Sequence, residues 1–199
     1  MLSTFNVTEN NCFALNDSCN AFWSKVSFRE KEKVTFIHGV IIAFGAKIRE
    51  GITMPNSHIT PERFVRYAWE MNFRISIADS AVLHSDFIKR VTQLAKVNGI
   101  SVHYLDFSQY ETAEAALCAK ENSDFLESIE SGNRKSLLWF VNCESLTPLN
   151  LDIAYSLRTA LTTRHGNNVQ SVFVADKKTL LKIFYDRNAP FYHSHFNLT

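Results

Sequence analysis

Apolar positions recur along this chain at two periods. Between residues 28 and 50, Val34, Ile37, Ile41, Phe44 and Ile48 fall at spacings of 3, 4, 3 and 4, the stripe that one face of an α-helix presents. "SFRE" at 27–30 reads as its capping box, with Ser27 accepting from the Glu30 N–H and Glu30 reaching back to Ser27. Gly51 suits the helix end. Val40, Ile42 and Ala43 widen the stripe, so this helix is expected to be deeply buried or shared with another molecule. A short helix is expected over 18–25. A further one follows in "HITPERFVRYAWEMN", with Thr60 as cap, Pro61 in the first turn and Glu62 at the positive end of the dipole. Phe64, Tyr67, Ala68 and Met71 are its expected inward positions.

From residue 73 the period alternates. "FRISIAD" (73–79), "ISVHYLDF" (100–107), "SLLWFVN" (136–142) and "VQSVFVA" (169–175) read as strands, and "HFNL" (195–198) as a short edge strand. Between them lie helical segments at 85–99, 111–131 (broken near Asn122), 151–166 and 178–186. The strands are nearly continuous apolar runs, as expected when both sheet faces are covered. The pattern predicts an α/β fold: a doubly wound, mostly parallel sheet of four to five strands with helices on both faces. An α-helical N-terminal region, 1–72, precedes this Rossmann-like domain, 73–199.

Charge and composition narrow the function. The net charge of +1 gives no overall field toward nucleic acid or anionic lipid. No apolar run is long enough to span a bilayer, and "MLSTFNVTENN" lacks the basic start and apolar core of a secretory leader. The sequons at Asn6, Asn16 and Asn197 therefore read as accidental. Cys12, Cys19, Cys118 and Cys143 fit no common zinc spacing. The expectation is a cytoplasmic protein with free thiols, no metal and no cofactor. With 16 phenylalanines against 6 glycines, the chain is rich in bulky core and contact residues and poor in phosphate-loop material.

Ligands of open α/β sheets bind at the C-terminal strand ends. Those ends carry Asp79-Ser80, Asp106-Phe107-Ser108, Asn142-Cys143-Glu144 and Asp176-Lys177-Lys178. The first loop, "SAVLHS", has no glycine to shape a cradle of backbone amides. "FIHGVIIAFGAK" imitates a phosphate loop. However, five residues separate Gly39 from Gly45, Ile48 follows Lys47, and the intervening "VIIAF" is bulky, against the Walker A rule. The helical stripe accounts for the same residues.

Two resemblances follow from these motifs. "ISIADSAVLHSDFIKRV" resembles the first strand and helix of a response-regulator receiver domain. That resemblance implies a phospho-accepting Asp, a Thr or Ser, and a Lys after later strands. Asp79 matches one acidic position, but the acceptor falls at Asn142 and the Thr/Ser position at Ala175, and no Lys can be placed. "SLLWFVNCES" with "VQSVFVADKKTLLKIFYDRNAPFYHS" is similar to the Walker B and sensor region of AAA-type ATPases, with "NAPFY" (188–192) standing for their "SPLY" or "SPFY" segment. Walker B then requires Asp where Asn142 stands, and Glu144 echoes the acid that polarises water. Both resemblances imply a Rossmann-like, NTPase-like fold with its catalytic positions replaced. An Asn supplies neither a carboxylate nucleophile nor Mg²⁺ charge.

The remaining chemistry is sparse. Cys143, with His165, His193 or His195 as base and Glu144 or Asp176 as orienter, is a candidate nucleophile; the other reading is a small buried core residue. "HSH" at 193–195 lacks a third metal ligand. Arg63 and Arg66 beside Tyr67 and Trp69 form a candidate nucleic-acid contact; the alternative is a solvated helix side.

The preferred expectation is a non-enzymatic regulatory or adaptor protein that binds a protein partner, self-associates and works in a larger assembly. Its interface would use Val34, Ile37, Ile41, Phe44 and Ile48 with Phe184, Tyr185, Phe191 and Tyr192. The rival readings are a nucleotide- or phosphate-binding enzyme using Asp79, Asp106, Cys143, Glu144 and Asp176, and a DNA-binding regulator.

Overall fold

A computed structural model describes residues 59–131, 133–147, 152–163 and 168–199. The helices expected over 18–25 and 28–50, with Val34, Ile37, Ile41, Phe44 and Ile48, lie outside the described residues.

Helix α1 (Pro61–Glu70) starts where the sequence predicts. Thr60 is extended and its hydroxyl accepts from the Arg63 N–H at 3.3 Å, while Pro61 removes an N–H that no helical partner would take. The helix buries Phe64, Ala68 and Trp69. The expected inward set therefore changes, and Tyr67 is only half-buried. Trp69 turns in and donates from Nε1 to the Asn168 carbonyl at 3.3 Å. Met71 is 60% exposed, because the helix ends there and Asn72 follows with φ +54°.

The elements then alternate: β1 (Ile75–Asp79), α2 (Ser85–Val97), β2 (Ser101–Asp106), α3 (Ala113–Cys118), α4 (Ser123–Ser131), β3 (Ser136–Val141), α5 (Asp152–Thr163), β4 (Val169–Ala175), α6 (Lys177–Phe184) and β5 (Phe196–Asn197). The predicted break near Asn122 separates α3 from α4. There the Asn122 amide donates to the Ala116 carbonyl at 2.7 Å and to the Tyr110 hydroxyl at 3.0 Å, ending the first helix from its side. All strand pairs are parallel, in the order β2-β3-β4-β1-β5. This is not the 2-1-3-4-5 order of receiver-type folds.

Each central strand divides its side chains between two cores, as a period of two requires. Trp139 and Val141 of β3, with Val172 and Val174 of β4, pack under α1 and α2. Leu138 and Phe140 of β3, with Phe173 and Ala175 of β4, pack under α3, α4, α5 and α6. The second core is an aromatic ladder: Phe140 stacks on Phe173 at 4.4 Å, and Phe173 contacts Phe184 and Phe191, each at 5.3 Å. Phe184 and Phe191 are fully buried, which removes them from the expected interface. Phe184 belongs to the inward stripe of α6 with Leu180 and Ile183, and the segment after α6 folds back and inserts Phe191. Tyr185 remains exposed and Tyr192 half-buried.

The chain leaves β1 through α2 on one face and runs to β2 at the far edge. It returns through β3 and β4 by helices on the other face. Neighbouring strands β1 and β4 therefore send their connections to opposite faces, and a crevice opens between their C-terminal ends.

Candidate functional site

The β1–α2 turn is where a phosphate loop would stand in the NTPase-like reading, and the amides of Ser80 to Leu83 are engaged within the fold. The Ser80 N–H donates to the Ala175 carbonyl at 2.9 Å. The Ala81 N–H donates to the Asp79 carboxylate at 2.9 Å. The Val82 and Leu83 N–H groups donate to the Asp79 carbonyl at 3.0 and 2.8 Å. Four consecutive donors that could have faced an anion close the turn instead. Asp79 captures three of them, one with its carboxylate and two with its backbone carbonyl. Its own N–H donates to the Thr199 hydroxyl at 3.0 Å.

At the ends of β2 and β3 the structure brings Asp106, Ser108 and Asn142 together. Asp106 Oδ1 accepts from the Ser108 N–H at 2.9 Å, the Ser108 hydroxyl at 2.7 Å and the Asn142 amide at 2.9 Å. Partial desolvation works to raise the Asp106 carboxyl. The Ser108 hydroxyl, the Asn142 amide and the Ser108 N–H outweigh it, so the carboxyl lies below its usual value. Asn142 has φ +53°, ψ +55°, the left-handed conformation that Asn tolerates better than most residues. Its position thus has a conformational reason as well as a hydrogen-bonding one.

Asp176 caps α6, accepting from the Thr179 N–H at 2.9 Å and the Thr179 hydroxyl at 3.0 Å. These bonds hold its carboxyl below the usual range. Glu144 is exposed at the short turn Cys143–Leu146.

Cys143 is not the exposed nucleophile its strand-end position suggests. It is fully buried, with Sγ directed at the Phe140 and Val174 carbonyls, 3.5 and 3.8 Å away. Burial, and then the Glu144 carboxylate, push its thiol far above the usual value. No histidine takes part in those contacts. His193 stacks on Tyr192 at 4.0 Å, His195 lies against Phe184 and Tyr185, and His165 is outside the described residues. A buried neutral thiol is a packing residue. Cys143 is a free thiol, and Cys12 and Cys19 lie outside the described residues.

Arg63 and Arg66 are exposed on α1, interleaved with acids. Arg66 pairs with Glu70 at 3.6 Å and lies over the Tyr67 ring at 5.5 Å, and Glu62 bonds Arg90 of α2 at 3.1 Å. Two arginines thus share α1 with two glutamates, and no basic stripe results. Among the described residues, no group of three His, Cys, Asp or Glu side chains is placed to hold a metal ion, and no helix is long and apolar enough to cross a membrane.

Two shallow clefts flank the β1–α2 turn. One, of about 360 Å³, lies between Ile59, the turn, Phe87 and Leu198. The other, of about 280 Å³, occupies the crevice at the end of β1, bounded by Asp79, Val82, Lys177, Leu181, Tyr185 and Asn197. The Tyr185 hydroxyl and the Asn197 amide bond each other across its edge. Sequence reasoning did not unite these residues, because only the pairing of β5 with β1 brings Asn197 beside Tyr185. No family model matches this chain, and no curated protein matches it.

Proposed function

We propose that this chain is a non-enzymatic regulatory or adaptor protein that acts through protein–protein interaction in a larger assembly. Its α/β domain would be an NTPase-like fold whose catalytic positions have been turned to structural use. One observation carries the reading: the Ser80, Ala81, Val82 and Leu83 amides are spent inside the β1–α2 turn, leaving only the start of α2, without a loop of donors around it, to face a triphosphate. Asn142 points the same way, since its amide serves Asp106 and Ser108 where the AAA-type resemblance implies a Mg²⁺-binding carboxylate. Strand order also favours that resemblance over the receiver type, because β4, the sensor strand in that reading, lies between β1 and β3. The surface for partners would combine the apolar stripe at 28–50 with the exposed Tyr185 and the half-buried Tyr192.

The test is a thermal-shift series on the full chain with ATP or GTP and Mg²⁺. A ligand at 100 times its Kd stabilises a fold by about 2.7 kcal/mol, enough to move a melting curve plainly. No shift is expected. A rise in Tm that Asp79→Ala abolishes would overturn the proposal in favour of a nucleotide-binding enzyme.

A further inference from the structure

We infer that the outer edge of β2 is a self-complementary seam on which a second copy of this chain docks, joining two sheets into one. The inference belongs with the reading of this chain as an interaction protein, but it uses a surface unrelated to residues 28–50.

The two edges of the sheet differ. β5 is two residues long, and Phe73 stacks on its Phe196 at 4.0 Å. β2 is six residues long, and among the described residues it pairs only with β3. The Ser101 N–H donates to the Lys135 carbonyl, toward β3. Strand alternation then turns the N–H and C=O groups of Val102, Tyr104 and Asp106 outward. Natural sheets blunt a free edge of this kind with Lys, Pro or a bulge. "SVHYLD" contains neither Lys nor Pro, its pairing with β3 is continuous, and its one charge is at the end. Tyr104 on this edge is 56% exposed.

A second copy fits better than an unrelated strand because the edge matches itself when inverted. A two-fold axis perpendicular to the sheet, passing between the two His103 residues, sets Val102 opposite Tyr104 and Tyr104 opposite Val102 on the same face. The outward N–H and C=O groups of both residues then pair across the seam. Aromatic against β-branched is a favourable cross-strand pair. Charge agrees with this direction. Lys96 precedes the N-terminal end of β2, and Asp106 closes its C-terminal end. Antiparallel docking lays the acidic end of each copy over the basic end of the other, twice.

Sedimentation velocity of the full chain over a concentration series tests this. A dimer is expected for the wild type. Tyr104→Lys, which introduces the charge that blunted edges carry, and Val102→Pro, which removes an N–H the monomer does not use, should each give a monomer with unchanged circular dichroism. If Val102→Pro does not fold, Tyr104→Lys decides alone. A wild-type monomer at every concentration overturns the seam, even if it captures another protein through this edge. A dimer that persists in the folded variants also overturns it, moving self-association to another surface. Neither outcome touches the adaptor proposal, which rests on nucleotide binding being absent.

Discussion

Asn142→Asp restores the carboxylate that both resemblances imply, and the structure indicates what it should do. The present amide donates to Asp106 Oδ1 at 2.9 Å and to the Ser108 hydroxyl at 3.3 Å. The substitution deletes a donor to a charged acceptor, an interaction of about 1.5–3 kcal/mol in general, reduced here because Asn142 is exposed. It also sets two carboxylates side by side. Unit charges 4 Å apart repel by about 1 kcal/mol in water and about 4 kcal/mol at an effective dielectric of 20, and exposure favours the lower figure. The sum is a loss of about 2 kcal/mol at pH 7, or about 4–8 °C in Tm for a chain of this size. Asp adopts the left-handed backbone nearly as readily as Asn, so conformational strain does not confound the comparison.

The pH dependence supplies the control. In the wild type the Asp106 carboxyl lies below its usual value. Its contribution is therefore complete above the unfolded carboxylate pKa and fades as pH falls through the folded one. In Asn142→Asp, protonating either acid relieves the repulsion and supplies a donor to the other. The Tm difference should be largest near neutrality and close in acid. A variant as stable as the wild type at pH 7, or a gap that does not change with pH, refutes the reasoning. Recovery of the lost stability with millimolar Mg²⁺ would refute the broader claim, because it would show that one carboxylate is all the strand ends lack to hold the ion.

Three further outcomes are expected. Cys143 should resist iodoacetamide in the native protein and react only on unfolding, since its thiol is buried and its pKa raised; native-state alkylation at Cys143, read by mass spectrometry, would contradict this. Asp176→Ala should lower Tm by removing the cap of α6, and the gap from wild type should narrow as pH falls through the depressed Asp176 pKa. Phe173→Ala, which empties the centre of the aromatic ladder, should cost about 3–5 kcal/mol in urea unfolding; a loss under 1 kcal/mol would mean the ladder is not packed as described.

What the sequence made legible here, and what it hid, divides along one physical line. Local features were legible. The apolar runs of β3 and β4, the Thr60-Pro61 start of α1 and the side-chain break at Asn122 each depend on residues close in sequence. Features set by tertiary return were not. Phe184 and Phe191 resembled a contact surface because "KIFYDRNAPFY" is apolar without a clean period, and only the fold-back after α6 puts both in the core. Leu180, Ile183 and Phe184 carried the signal that was available, an i, i+3, i+4 stripe. The same line runs through the candidate site. The absence of glycine after β1 was readable. The stronger fact was not: Asp79 itself captures the Ala81, Val82 and Leu83 amides. Asn142 carried two meanings at once, a missing acid by family resemblance and a residue suited to a left-handed turn by its chemistry. In the structure the second explains why that position can hold Asn. A residue that stabilises its neighbours as it stands is under no local pressure to become the acid that catalysis would require.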